Sequence, residues 1–395
     1  MPTKVTLKRG VYVHKWVGND PAHALLAPSD SERWLACSGY HYLTLKLRKN
    51  KNIPPDTPGR AAAEGSLAHW ILEQCGLHGY KPKQYLGQRH EVDGFRFIVD
   101  FEMIDGVTMA LEYIEDLHFF NHVKQDDTEQ WLDLTYLKVK HLDGGTSDRL
   151  VYTKNKHLYV IDFKYGKGPV DPYTSTQLRI YGVGALKKYP KAKTVTLVIV
   201  QPRCPTGRYI KEYTLPAIYL KQWKNEVLLP RANAVHEERD SYTITEKGCK
   251  YCPAKRYCPV QEQMIKLVQA PREWLTAKEQ IAIYNARKAI IATLDDIAES
   301  LMYDVNNGAH KNALKVVHAN TQRRVIPEAV IEFFGDDAYT RKLIGVTEVD
   351  RLLKSGKYVT PTEALIEKPL GRPELAPLED KRPPMAKDEF AEFIE

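Results

Sequence analysis

The sequence predicts an α/β fold on three observations. Apolar residues recur at helical spacing over residues 61–75 and 103–117, a strand-like meander occupies residues 131–163, and a β-branched strand over residues 194–201 is enclosed by further helical patterns. Residues 1–57 read as irregular, apart from Pro28-Ser29-Asp30-Ser31 placing a helix cap before Glu32-Arg33-Trp34-Leu35-Ala36-Cys37. The basic run Lys46-Leu47-Arg48-Lys49-Asn50-Lys51 reads as a solvated face. After the two helices, Trp131 to Leu137 opens a β region. Turns at Asp143-Gly144-Gly145 and Lys154-Asn155-Lys156 then separate strands over residues 146–152 and 158–163. Helical period returns over residues 176–188, a buried-type strand follows, then a strand over 209–214 and a helix over 220–236.

Past Pro259 the pattern changes to a long helix over residues 276–304 and then to short segments ending in Pro-rich sequence, residues 361–384. A length of 395 residues suits two to three domains. The division expected is 1–265 as one α/β domain, 266–360 as a mainly helical extension and 361–395 as a flexible Pro-rich tail closing on the acidic amphipathic segment from Lys387 to Glu395.

An apolar fraction of 43% and a charged fraction of 27% are those of an ordinary globular protein, and no apolar run reaches the roughly 20 residues that span a bilayer. The basic N-terminus lacks the apolar core of a signal peptide, so a cytoplasmic protein is expected. A net charge of +7 permits a polyanionic partner without requiring one. Of six cysteines, three crowd into the span from Cys249 to Cys258, which in a reducing compartment reads as metal binding.

The chemistry-bearing residues lie in the α/β region. Asp148 follows Gly145-Thr146-Ser147, and one strand later comes Asp162-Phe163-Lys164. Residues two apart on a strand share a face, so Asp162 and Lys164 lie together while Phe163 packs behind them. Two carboxylates on adjacent strands can hold a hard cation that positions water for phosphodiester hydrolysis, with a lysine to orient that water. Asp-X-Lys alone is commoner as a surface ion pair; here the apolar strand Leu158-Tyr159-Val160-Ile161 runs straight into it. His69 lies on an apolar helix between Gly65 and Glu73, and Gln177 and Tyr181 project from one face of the helix after the meander. Taken singly, each of these reads as packing.

Together the order Gly65-x-x-x-His69, Gly145-x-x-Asp148, Asp162-x-Lys164, Gln177-x-x-x-Tyr181 resembles the motif series of RecB-type nucleases in the PD-(D/E)XK superfamily. The resemblance spans about residues 28–260. It implies a restriction-endonuclease-like core, a central mixed sheet flanked by helices. It also implies that His69, Asp148, Asp162 and the Phe163 carbonyl hold Mg²⁺ or Mn²⁺, that Lys164 is catalytic, and that Gln177 and Tyr181 support the site or contact DNA. Tyr165-Gly166-Lys167-Gly168-Pro169 reads either as a loop that touches a DNA backbone through Lys167 or as an ordinary turn.

Cys249-x2-Cys252-x5-Cys258 supplies three thiols, and Cys37 is the best fourth, since Cys75 and Cys204 sit in core elements. Spacing alone leaves zinc and [4Fe-4S] open. The bracketing of the nuclease motifs by one N-terminal and three C-terminal cysteines is similar to the iron-sulfur staple of AddB and of the CRISPR-adaptation nuclease, which implies [4Fe-4S]. The whole chain also resembles a phage and prophage family with this core and a helical extension. That likeness implies an exonuclease of phage DNA recombination, repair or replication, working beside a single-strand binding or annealing protein. Two rival readings are a non-catalytic DNA-binding scaffold and an RNA-directed phosphodiesterase. Lys311, Lys315, Arg323 and Arg324 in the extension are compatible with DNA contact and with a solvated face alike.

Overall fold

The computed structural model describes residues 3–8, 10–16, 25–50, 53, 59–319, 324–338, 345–355, 358, 360, 364–367, 371, 373–377 and 382–386. The chain divides into two units, Met1–Thr293 and Leu294–Glu395, with the division inside a long helix. Arg323 and the acidic end segment 387–395 lie outside the described residues.

The first unit holds two mixed sheets flanked by helices. In the smaller sheet, β1 (Thr3–Lys8) and β2 (Val11–Trp16) form an antiparallel hairpin, and β2 runs parallel to β3 (Arg89–Val92), which turns back into β4 (Phe95–Ile98). The β3–β4 turn is Asp93-Gly94, with φ of 50° and 85°; two left-handed residues are what a two-residue hairpin requires. This sheet corrects the expectation that residues 1–57 are irregular. The Asp93-Gly94 pair marks the β3–β4 turn alone and lies outside residues 1–57.

The larger sheet has the order β5 (Val123–Asp133), β6 (Gly144–Thr153), β7 (His157–Phe163), β8 (Thr194–Val200), β9 (Ile210–Pro216). All neighbours are antiparallel except β7 and β8, which are joined by the crossover helix α5 (Thr176–Lys188). The meander is as expected, although β5 starts at Val123, before Trp131. Alternation sorts the side chains. Val151, Ile161, Phe163, Val198 and Val200 pack on one face against α3 (Arg60–His78) and α4 (Phe101–Phe120). Leu150, Leu158, Val160, Leu197 and Ile199 pack on the other against α5 and α6 (Ala217–Trp223).

Local signals set the helix ends. Asp100 caps α4 by accepting from Met103 N at 2.9 Å, and Ser175 caps α5 by accepting from Leu178 N at 3.2 Å. Gly79, at φ 70°, ends α3. The helix expected over 220–236 is present and continuous, with a π turn inside it: α6 passes through Lys224–Leu228 into α7 (Leu229–Glu237). Pro230 has no amide to donate backward, and the wider turn absorbs the missing bond. Short helices α1 (Ser31–Trp34) and α2 (Tyr40–Lys49) pack with α5 and α7 through Trp34, Leu35, Tyr40, Ile180 and Val235. The unit continues through α8 (Glu246–Lys250), α9 (Pro259–Val268) and most of α10 (Ala277–Asn306).

The second unit carries the end of α10 and two small antiparallel pairs. β10 (Leu314–His318) pairs with β13 (Pro373–Pro377), and β11 (Arg324–Val325) pairs with β12 (Ile366–Glu367). With α11 (Pro327–Phe334) and α12 (Val346–Lys354), it buries Val330, Phe334, Val349, Leu365 and Ile366. The Pro-rich stretch thus contributes strands as well as connections.

Candidate functional site

Asp148 on β6 and Asp162 on β7 become neighbours because the strands pair with Arg149 opposite Ile161, one step away. Asp148 is tied further by its Oδ2, which accepts the Phe163 amide at 2.7 Å and lies 3.5 Å from Nδ1 of His69 on α3. Phe163 is the last residue of β7 paired with β8, opposite Val200, and its ring meets that of His69 at 5.3 Å between centroids. The Phe163 carbonyl is therefore at the strand end beside Asp148.

Asp162 is 2% exposed. Its Oδ1 accepts from Nζ of Lys164 at 3.2 Å and from Nε2 of Gln177 at 3.2 Å. Its Oδ2 lies 3.0 Å from the same ammonium, off hydrogen-bonding geometry, and has no hydrogen-bond partner among the described residues. Gln177 also accepts from Lys164 Nζ at 3.0 Å and donates to the Tyr181 hydroxyl at 3.1 Å. The helix cap at Ser175 and the i, i+4 spacing of α5 aim Gln177 and Tyr181 at this end of the sheet. His69, Asp148, Asp162, Phe163, Lys164, Gln177 and Tyr181 thus form one continuous cluster. It opens into a cleft of about 600 Å³ whose walls include Gly65, Trp70, Glu73, Glu129, Thr146 and Gly166.

Burial opposes the charge of each ionisable member, and partners decide the outcome. At Asp148 the burial penalty is outweighed by His69, Lys164 and the Phe163 amide, so its carboxyl is held below the usual range. At Asp162 burial, aided by Asp148, outweighs Lys164 and raises the carboxyl. Burial lowers Lys164, yet Asp162 and Asp148 more than offset it, so the side chain is a firm ammonium. His69, 32% exposed, is raised in the same way, its burial opposed first by Asp148. A buried carboxylate oxygen with no hydrogen bond, beside a second carboxylate and an imidazole, suits a hard divalent cation.

Glu129 was not foreseen. It lies on β5 between Thr128, paired with Arg149, and Gln130, paired with Ser147, and so stands opposite Asp148. Its backbone is left-handed, φ 48°, rare for a non-glycine residue within a strand. Burial first, then Asp148 and Glu73, raise its carboxyl to about 7. Only strand register reveals it, and β5 was expected to begin beyond it.

A second cluster ties the N-terminal helices to the segment around 239–258. Gly39 N donates to Ser241 O at 2.8 Å, and a Cβ on Gly39 would come within 2.6 Å of the Tyr242 ring, so the approach admits glycine alone. Arg33 Nη1 donates to Tyr251 O at 2.9 Å. These contacts bring Cys37 among Cys249, Cys252 and Cys258. Burial raises the thiols of Cys37 and Cys249 and pushes Cys252 up to about 12, and neighbouring thiols of the same four raise each further. The four thiols are close enough to feel one another's charge, and thiolates are donors of the soft kind that zinc and iron-sulfur clusters take. Among the described residues no three His, Cys, Asp or Glu side chains close into ion-holding geometry. Cys75 and Cys204 are separate buried thiols. No helix among the described residues is long and apolar enough to cross a membrane.

The chain is similar to a solved protein described as "Crystal structure of SSO0001", at 14% identity over 65% of this chain and 88% of that one. The TM-score of that match is 0.26. The family model described as "Protein of unknown function (DUF2800)" matches residues 23–383, and the chain belongs to that family.

Proposed function

We propose that this protein is a metal-dependent deoxyribonuclease, acting as an exonuclease, on a RecB-like PD-(D/E)XK core. The observation that carries the reading is the hydrogen-bonded chain from Asp162 through Lys164 and Gln177 to Tyr181, set beside Asp148 and His69 in one cleft. Asp148, Asp162, His69 and the Phe163 carbonyl would hold Mg²⁺ or Mn²⁺. Such a cation, when bound, lowers the pKa of water and neutralises charge on the scissile phosphate.

The remaining work falls to the chain. Lys164, an ammonium fixed by two acceptors, donates to the attacking water or a phosphate oxygen and aligns it in line with the leaving 3′ oxygen. The new P–O bond forms from water, whose displaced proton passes to solvent, as the P–O3′ bond breaks, and the 3′ oxygen takes up a proton from solvent. Gln177 holds Lys164 and Asp162 in register, and Tyr181 holds Gln177. The four thiols would carry a [4Fe-4S] cluster, with zinc the alternative. Its role is structural: joining Cys37 to Cys258 closes a long loop and removes entropy from the unfolded chain.

The test is cleavage of end-labelled single-stranded DNA, duplex DNA and RNA with Mg²⁺ or Mn²⁺, comparing anaerobically purified protein with Lys164→Ala. Metal-dependent DNA degradation lost in the variant supports the reading. No cleavage by cluster-loaded protein sinks it in favour of a binding scaffold, and cleavage of RNA alone would replace the substrate.

A further inference from the structure

The segment after Lys164 leaves the sheet as Tyr165-Gly166-Lys167-Gly168-Pro169, and a single buried amide holds it. Gln201, directly after β8, is 0% exposed. Its Nε2 donates to Gly166 O at 2.8 Å and to Gly168 O at 2.7 Å, while its Oε1 accepts from Val170 N at 3.1 Å and from Lys211 Nζ at 3.0 Å. A primary amide has two donor hydrogens and two acceptor lone pairs, so Gln201 is fully used, and three of its four bonds go to this one loop.

The loop's orientation follows from these bonds. In a trans peptide the carbonyl of one residue and the amide of the next point in opposite directions. With Gly166 O turned inward onto Gln201, the amide N–H of Lys167 points away from the core, and no backbone acceptor takes it among the described residues. Pro169 has no amide to compete. Gly166 lines the cleft that contains Asp162 and Lys164, and a Cβ on Gly166 or Gly168 would meet nothing within 4 Å. The other side of the clamp is also fixed: Arg203, two residues on, stacks over the Tyr165 ring at 4.7 Å and bridges to Glu64 of α3 at 2.7 Å.

We propose that the Gly166–Gly168 loop is a phosphate-binding ledge, contacting a substrate phosphate next to the scissile one through the Lys167 amide and ammonium, and that Gln201 is the positioning residue that holds it. This rests on the nuclease reading for its substrate, a nucleic-acid strand. A side chain at position 166 or 168 would fit the fold and obstruct the ledge, which gives a reason for glycine where packing supplies none. A backbone amide and a lysine ammonium together form a donor pair suited to a phosphate diester.

The experiment uses the full chain with Ca²⁺ in place of Mg²⁺, a short fluorescein-labelled oligothymidylate read by anisotropy, and hydrogen exchange of the peptide covering residues 164–173. Gln201→Ala is expected to speed exchange in that peptide and to weaken oligonucleotide binding on the order of tenfold. Lys167→Ala and Gly166→Val should weaken binding similarly with exchange unchanged. Unaltered exchange in Gln201→Ala overturns the positioning role. Faster exchange with unchanged affinity, or unchanged affinity in both Lys167→Ala and Gly166→Val, overturns the ledge. If Gln201→Ala does not fold, those two variants still decide the phosphate contact. Wild-type protein that binds no oligonucleotide overturns the phosphate assignment together with the nuclease reading, whereas unchanged exchange strikes Gln201 alone.

Discussion

Glu129 offers the sharpest test of the site's electrostatics, because its replacement by glutamine changes charge and almost nothing else. The carboxyl, ordinarily near 4.5, is raised to about 7, by burial first and then by Asp148 and Glu73. The sign follows directly. A folded-state pKa above the unfolded one means the native protein keeps a proton that the unfolded chain releases between pH 4.5 and about 7. Stability is therefore unpenalised below this window, falls as pH rises through it, and carries the full cost above it. A displacement of that size corresponds to on the order of 3 kcal/mol. Glu129→Gln keeps the side-chain volume and the left-handed backbone but removes the ionisation. In chelator-treated protein, urea unfolding should show variant and wild type equal near the lower end of the window. The variant should gain up to ~3 kcal/mol by about pH 8. Added Mn²⁺ should shrink the gap, since a cation beside Asp148 offsets the repulsion that creates it. A difference that stays constant with pH would refute the argument, because strain or packing at Glu129 would then dominate over charge.

The remaining predictions concern the fold, the cleft and the clasp. Burial first, then His14, lowers His90 to about 4, so the native state refuses protons that the unfolded chain accepts below 6.5; stability is full above that value and lost as pH falls toward 4. His90→Phe should flatten this acid limb in urea midpoints measured across the window. Gly65 lies within α3 with open space where a Cβ would be. Gly65→Ala should raise stability by up to ~1 kcal/mol, while cleavage, assayed on the same preparation, falls because the methyl enters the cleft. Gly39→Ala should drive its Cβ into Tyr242 and the carbonyls of Arg239 and Ser241. It should lower both melting temperature and bound iron, as Cys252→Ser should, with iron and labile sulfide measured after anaerobic purification. Retention of the full metal content by Cys252→Ser would remove that thiol from the cluster.

The parts of this molecule that were legible in the sequence are those written in a short period. The helix over 176–188 agrees with α5 at both ends, because Ser175 caps it and its apolar residues repeat at helical spacing. The Asp162-Phe163-Lys164 alternation gives the correct faces because a strand has only two. What was missed depends on pairings between distant segments. Val11–Trp16 and Arg89–Val92 meet only because β2 runs parallel to β3 across more than a helix of intervening chain, and neither strand is long or apolar enough to announce itself. Glu129 is invisible for the same reason, since its significance is to stand opposite Asp148 in a register that no local pattern encodes. Gln201 shows the limit most clearly. In the sequence it is one polar residue at the end of an apolar strand, yet in the fold all four of its hydrogen-bonding positions are taken, three by the loop that leaves Lys164. A buried amide satisfied so completely by one loop is costly to replace with any other side chain, because each lost bond strands a buried partner. Motif reading therefore finds the charged cluster of the candidate site, and the residues that hold that cluster emerge only when the chain is folded.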